Sequence, residues 1–341
     1  VGLSRFGAAL DEGVNRRIVG FLAPRGWRPR IIGLTGYGSE RSLHVMGRVV
    51  LARPGESTRP AETRGWRSFM TAQVGDLPVV VRAGAQTVRT TSSAGGYIDV
   101  MVPDHGLGPG WHEVVIEAKA AEPTTATVLV VDPAARIGVV SDIDDTVMIT
   151  MLPRAFIAAW NTFVRHTSAR RPVPGMAELY RRIVAEHPHA PVFYLSTGAW
   201  NVVPTLRTFL GQHGLPHGPM LMTDWGPTNT GWFRSGIEHK RTRLRDLMIT
   251  FPEIRWVLVG DDGQHDPMIY DDVARMHPRK VAAIAIRTLS PTEQVLSHGT
   301  PETLGRPSAQ RNVTAEHGVP SVLGRDGYAL AGELPALLPA D

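Results

Sequence analysis

The apolar run Val139-Val140-Ser141 passes straight into Asp142-Ile143-Asp144-Asp145-Thr146, which sets three carboxylates within four positions. Unit charges about 4 Å apart repel by roughly 4 kcal/mol at the effective dielectric of a protein surface, so a divalent ion, a proton or strong hydrogen bonds must compensate them. Magnesium suits such a cluster, since it takes oxygen ligands and is commonly held by one or two carboxylates plus a substrate phosphate. A calcium-binding loop starting at Asp142 is excluded: Val147 stands where that loop needs glycine, and Pro153 where it needs a bidentate glutamate. Taken alone, the cluster reads equally as a helix cap or a solvated turn.

Three further features follow in order. Pro191-Val192-Phe193-Tyr194-Leu195 runs into Ser196-Thr197-Gly198, where hydroxyls and backbone N–H groups at a strand end could hold a phosphate oxygen. A plain helix cap is the alternative there. Lys240 precedes the helical stretch Arg241 to Met248, so an ammonium is expected where a helix opens, in a chain with three lysines and 33 arginines. A compact point charge serves a phosphoryl group and an aspartate together better than a planar fork does. Last, Arg255-Trp256-Val257-Leu258-Val259 ends in Gly260-Asp261-Asp262-Gly263-Gln264-His265-Asp266. Asp261 would give the metal its second carboxylate, while Asp262 or Asp266 would accept hydrogen bonds from its waters or orient Lys240. Strand-end position favours Asp261 over Asp262 as the direct ligand, and the choice stays open.

Together, D-x-D-x-T, the strand-ending Ser196, Lys240 and the Gly-Asp-Asp loop resemble the four motifs of the haloacid dehalogenase-like phosphatase superfamily. More narrowly, Val173-Pro174-Gly175-Met176, Phe193 to Ser196, His239-Lys240 and Gly260 to Tyr270 resemble the phosphatidate phosphatase catalytic domain of a fungal actin-patch protein and its bacterial relatives, over about residues 136 to 290. The resemblance implies Asp142 as nucleophile, forming an aspartyl-phosphate, with Asp144 as general acid and then base. It implies Ser196 on the transferring phosphoryl with Thr197 and Gly198 beside it, and Lys240 as its neutralising charge. Asp142, the backbone carbonyl of Asp144, and Asp261 would hold Mg²⁺, supported by Thr146, Asp262 and Asp266. The chain departs from the fungal pattern at Thr197-Gly198-Ala199, where those relatives carry Asn-Ser-Pro, and at Asp262 in place of Ser. Both departures adjoin the phosphate or the metal and bear on the substrate.

These residues need parallel strands to bring them to one edge. From residue 136 to 290, apolar runs alternate with helical patterns near Gly175 to Ala185, Asn201 to His213, Lys240 to Thr250 and Asp266 to Met276, with a further strand over Val281 to Ile286. This predicts an α/β domain with a doubly wound parallel sheet. Arg154, Phe156, Trp160, Phe163, Arg165, Arg170 and Arg171 fall in an insertion where a small cap over the site would sit. Residues 26 to 135 instead show short β-rich runs between Gly, Pro and Ser turns, the pattern of an antiparallel β-sandwich-like domain. Leu3, Phe6, Leu10, Val14, Ile18 and Leu22 recur at helical spacing, predicting an amphipathic helix over 1 to 25. Residues 291 to 341 read as a C-terminal extension, loosely ordered over 296 to 320.

With 43% hydrophobic residues in 341, two folded cores are within reach. The absence of cysteine excludes disulfides, thiol nucleophiles and thiolate metal sites. A net charge of +4 is compatible with an anionic substrate or membrane surface. No nucleic-acid partner is expected. No apolar run approaches the roughly 20 residues of a membrane span, and no signal peptide pattern opens the chain. A cytoplasmic protein is therefore expected, at most peripheral at a membrane. The leading reading is a Mg²⁺-dependent phosphomonoesterase acting on a phosphate ester, with a phosphatidate-like anionic lipid first among substrates. The alternatives are a soluble phosphate ester as substrate, or a non-catalytic lipid- or protein-binding module.

Overall fold

The computed structural model describes residues 26–52, 74–119, 121–149, 171–223, 234–263, 265–298 and 318–338. The helix expected over 1 to 25, residues 150 to 170 of the cap insertion expected before Val173, and most of the loose segment expected over 296 to 320 lie outside them. The chain forms two compact units whose main division lies between Pro133 and Ala134, with Arg234 and Ser235 grouping with the first.

The first unit is built from β1 (Arg28–Gly33), β2 (Gly36–Ser39), β3 (Ser42–Ala52), β4 (Pro78–Ala83), β5 (Gln86–Thr91), β6 (Tyr97–Pro103), β7 (Gly110–Ala118) and β8 (Ala121–Val130). Their order is β1-β3-β2-β8-β7-β4-β5, with β6 on β3. Alternate residues point inward, so Val45, Val49, Val81, Ile98, Ile116 and Val128 join one buried cluster, as a strand with one wet face requires. Among the described residues all pairs of this unit are antiparallel except one: β2 runs parallel to β8, Gly36 opposite Val128. That one pair departs from the antiparallel pattern of its neighbours. β1 and β2 both run antiparallel to β3, and β2 meets the last strand of the unit with its other edge.

The second unit contains β9 (Ile137–Ser141), β10 (Met148–Ile149), β11 (Arg171–Pro172), α1 (Met176–Glu186), β12 (Val192–Ala199), α2 (Val203–Gln212), β13 (Met220–Thr223), α3 (Arg234–Thr250), β14 (Arg255–Asp261), α4 (Asp266–Met276), β15 (Val281–Arg287), α5 (Pro291–His298), β16 (Ser321–Gly324) and α6 (Gly327–Glu333). Among the described residues six strands form a sheet in the order β13-β12-β9-β14-β15-β16, every adjacent pair parallel. Strands covered on both faces read as continuous apolar runs; β9 and β15 are buried at every position. Gly138 lets β9 lie against Trp256, since a side chain there would come within 2.6 Å of the indole. The chain moves outward from β9 to β12 and β13, then returns to β14 on the other side of β9. In open α/β sheets a ligand crevice forms at such a reversal, beyond the carboxyl ends of the strands.

Two boundaries differ from the expected ones. The helix carrying Lys240 begins at Arg234 rather than at the lysine, because Ser235 and Gly236 are weak helix formers that hide its first turns in the sequence. The sheet also continues past residue 290: β16 pairs with β15 through Ala285 and Val322, and the backbone N–H of Gly327 donates to Pro174 at 2.8 Å. This part of the expected C-terminal extension therefore belongs to the second unit.

Candidate active site

Asp142 follows β9 directly, and Asp261 ends β14, its neighbour in the sheet. The backbone N–H of Asp142 donates to Val259 at 2.8 Å, which fixes the two strand ends side by side. Lys240 reaches in from α3, 98 residues along the chain, and donates from Nζ to Asp142 Oδ1 at 2.7 Å. It also donates to Asp266 Oδ1, in the first turn of α4, at 2.5 Å. Ligand oxygens of Asp142, Asp261 and Asp266 lie within 4.8 Å of one another, and all three residues are buried.

Below this cluster the D-x-D-x-T segment folds into a closed turn. Val147 N–H donates to Ile143 at 3.0 Å, and Asp145 N–H to Met148 at 2.8 Å. Asp145 takes φ 58°, a left-handed conformation that Asp tolerates better than most residues. The turn aims the Thr146 hydroxyl at both acids, 3.3 Å from Asp142 Oδ2 and 3.3 Å from Asp261 Oδ2. One hydroxyl within reach of two carboxylates shows how closely their oxygens converge.

On the other side of Asp142, Ser196 on β12 donates to Asp144 Oδ2 at 3.3 Å and accepts from the Gly198 N–H at 2.9 Å. Thr197 is exposed beside it, its carbonyl held by Thr223 Oγ1 at 2.8 Å. The carboxylate of Asp144 thus turns to Ser196 and is not among the three grouped acids. Asp262 faces away, accepting from the Leu289 N–H at 2.8 Å, whereas Asp261 accepts from the Gly263 N–H at 2.7 Å. Asp266 joins the acid group as well as orienting Lys240; the sequence reading gave it only a supporting place and gave Asp144 to the metal through its backbone carbonyl.

One buried ammonium cannot neutralise this many acids. Burial, with the charges of Asp266 and Asp144, pushes the Asp142 carboxyl up to about 8 in spite of Lys240. Asp261 is driven well above the usual carboxylate range, first by burial and then by Asp266 and Asp142. Burial alone would depress Lys240, but Asp142 and Asp266 outweigh it and hold the ammonium charged. Asp266 Oδ2 is buried without a hydrogen-bond partner. Three buried carboxylates with oxygens within 4.8 Å of one another, Asp142 and Asp261 raised in pKa and one oxygen of Asp266 unsatisfied, offer a donor set that suits a hard divalent cation.

Several residues that serve the site carried no functional reading in the sequence. Ser141 Oγ lies 2.6 Å from the Asp142 carbonyl and 2.6 Å from the Tyr180 hydroxyl on α1, a buried hydroxyl pair directly under Asp142. Arg287, at the end of β15, donates to the Asp145 carbonyl at 2.7 Å and to Glu293 at 2.6 Å. An arginine closing an otherwise apolar strand, VAAIAIR, was the available signal for it.

Residues 137–288 match the family model described as phosphatidate phosphatase APP1, catalytic domain. Phosphatidate phosphatase APP1 of Saccharomyces cerevisiae is 27% identical over 157 residues, covering 45% of this chain and 26% of that protein. The uncharacterized protein C29B5.04c of Schizosaccharomyces pombe is 25% identical over 152 residues, covering 44% of this chain and 25% of that protein. The chain thus spans about a quarter of the length of the curated relatives it matches. Among solved structures, a carbohydrate acetylesterase of Xanthomonas citri, XAC1771, aligns with 78% of this chain and 70% of its own at 9% identity, but the TM-score of 0.25 carries no argument. Over the segment that holds Asp142, Ser196, Lys240, Asp261 and Asp266, this chain resembles the catalytic domain of a phosphatidate phosphatase.

Proposed function

We propose that the second unit is a Mg²⁺-dependent phosphomonoesterase working through an aspartyl-phosphate on Asp142, with a phosphatidate-like lipid as substrate. The observation that carries this reading is Asp142 itself: a buried carboxylate at a strand end, gripped by a lysine and flanked by two further buried acids. The matched segment supports the reaction class, and the reversal of strand order at β9 supports a haloacid dehalogenase-like, doubly wound fold.

A carboxylate attacks phosphorus only where its repulsion from the phosphate is offset. Lys240 supplies one positive charge beside Asp142, and Asp266 holds that ammonium in place. Asp142, Asp261 and Asp266 would hold Mg²⁺, which when bound supplies the remaining positive charge for the phosphoryl oxygens. Asp142 attacks through a carboxylate oxygen as the ester P–O bond breaks. Asp144 gives its proton to the leaving oxygen, then takes one from a water that attacks the phosphoryl-aspartate, and inorganic phosphate leaves with Asp142 restored. Ser196, between Asp144 and the Gly198 N–H, fixes the general acid next to the transferring group.

Phosphate release is measured from phosphatidate vesicles and from a panel of soluble sugar and nucleotide phosphates, in Mg²⁺ or EDTA, for wild type and Asp142→Asn. The expected result is Mg²⁺-dependent release from the lipid that the variant lacks. Release only from a soluble ester would reassign the substrate; no release from any ester would overturn the phosphatase reading.

A further inference from the structure

We infer that Arg287, backed by Glu293, is a positioning residue for the reaction: it sets the Asp145–Thr146 peptide and through it the acids on either side. This rests on the reading of Asp142 and Asp144 as reacting groups. The guanidinium is buried and splits its donors three ways. One amino group donates to the Asp145 carbonyl at 2.7 Å, the other to Glu293 Oε1 at 2.6 Å, and Nε to the Arg325 carbonyl at 3.3 Å. Glu293 Oε2 in turn accepts from the Ser290 N–H at 2.8 Å, so the base of the arginine's partner is itself fixed.

The Asp145 carbonyl is the critical acceptor. Asp145 sits at φ 58° in a turn whose residues are largely buried, and a buried carbonyl without a donor costs a large part of a hydrogen bond's desolvation. That carbonyl and the Thr146 N–H belong to one rigid peptide plane. A charge-assisted bond at one end of the plane therefore sets the direction from which the Thr146 hydroxyl meets Asp142 and Asp261. Asp144, on the other side of Asp145, is carried by the same turn and bridges to Met148.

The same segment braces the second acidic loop. The Asp262 N–H donates to the Arg287 carbonyl at 3.0 Å, and Asp262 Oδ1 accepts from Leu289 at 2.8 Å. Residues 287 to 293 thus hold the D-x-D-x-T turn by a side chain and the Gly-Asp-Asp loop by the backbone. A lysine at 287 could keep one of the three side-chain bonds but lacks the planar fork that makes all three.

The test compares full-length wild type, Arg287→Met, Arg287→Lys, Glu293→Gln and, as a surface control, Arg275→Met. Amide hydrogen exchange is followed in peptides covering 142–148 and in β14, alongside kcat and KM on whichever ester the wild type hydrolyses. Arg287→Met should raise exchange in 142–148 with β14 still protected, and lower kcat about 10- to 100-fold with KM within about threefold. Arg287→Lys should recover part of both, Glu293→Gln should lose less than Arg287→Met, and Arg275→Met should change neither. If Arg287→Met does not fold, the lysine and glutamine variants carry the comparison. Unchanged exchange in 142–148, or loss of protection in β14 by an equal factor, would overturn the assignment and leave Arg287 as a general stabiliser. A wild type that hydrolyses no ester would defeat the phosphatase reading, while the exchange result would still decide whether Arg287 holds the turn.

Discussion

Both units pair a carboxylate with a cation, and the two pairs differ in nearly everything else. In the first unit Arg82 meets Glu117 across β4 and β7 at 3.2 Å, with side chains 53% and 34% exposed. In the second, Lys240 meets Asp142 at 2.7 Å with both side chains 4% exposed. Water screens the first pair, so its charges cost little apart and gain little together. The second pair has lost its water, and its cation is shared with Asp266; burial first, then the charges of Asp266 and Asp144, raise the Asp142 carboxyl to about 8. A carboxylate beside a cation thus makes a surface contact in one place and an unsatisfied demand for positive charge in the other.

The contrast breaks most visibly at Asp142. Asp142→Asn should cut kcat by about 10,000-fold or more, as loss of a covalent nucleophile does, in steady-state phosphate release; a variant within tenfold of wild type would remove Asp142 from the chemistry. Lys240→Met comes next. Removing one partner of a buried pair typically costs about 3–5 kcal/mol because the other charge stays buried and alone, and denaturant unfolding in the absence of metal should show a loss of that order. Arg82→Ala, at the exposed pair, should change unfolding by only about 0–1 kcal/mol and leave turnover intact.

How far the site could be read from the sequence follows from where its signals lie. Asp142, Ser196 and Asp261 were legible because parallel buried strands read as apolar runs, and each run ends at one of them. Arg287 stood out only as the charge closing an apolar strand; its role was not legible, since its acceptor is a backbone carbonyl 142 residues away, and any residue type presents the same carbonyl. Asp266 was seen only as a support, because sequence order cannot show that α4 begins beside β9. β1 and β2 went unread because Gly33, Gly36 and Gly38 disfavour strands by propensity. The fold overrides that preference, since a side chain at Gly33 would come within 2.9 Å of Ala126 on β8. The four-residue β16 is too short to stand out in a stretch rich in Pro, Gly and Ser.

A further expectation sharpens the comparison through pH. Asp142 has a folded pKa raised from 3.8 to about 8, so the folded state binds its proton more tightly than the unfolded chain does. That contribution is fully present below the ordinary carboxylate range and is lost as pH rises toward 8. Without metal, unfolding free energy should therefore fall across this window, and stabilisation by Mg²⁺ should grow across it, because a cation replaces the proton. Thermal melts from pH 5 to 8.5 with Mg²⁺ or EDTA would show this, and a metal-free stability independent of pH would contradict it.

The central claim is that Asp142 carries the phosphoryl group. Acid quench of the working enzyme, followed by peptide mass spectrometry, tests it directly. The expected result is a phosphoryl adduct on the peptide containing Asp142, formed with substrate and Mg²⁺, absent in EDTA and absent in Asp142→Asn. Turnover without any adduct, together with an active Asp142→Asn enzyme, would contradict it.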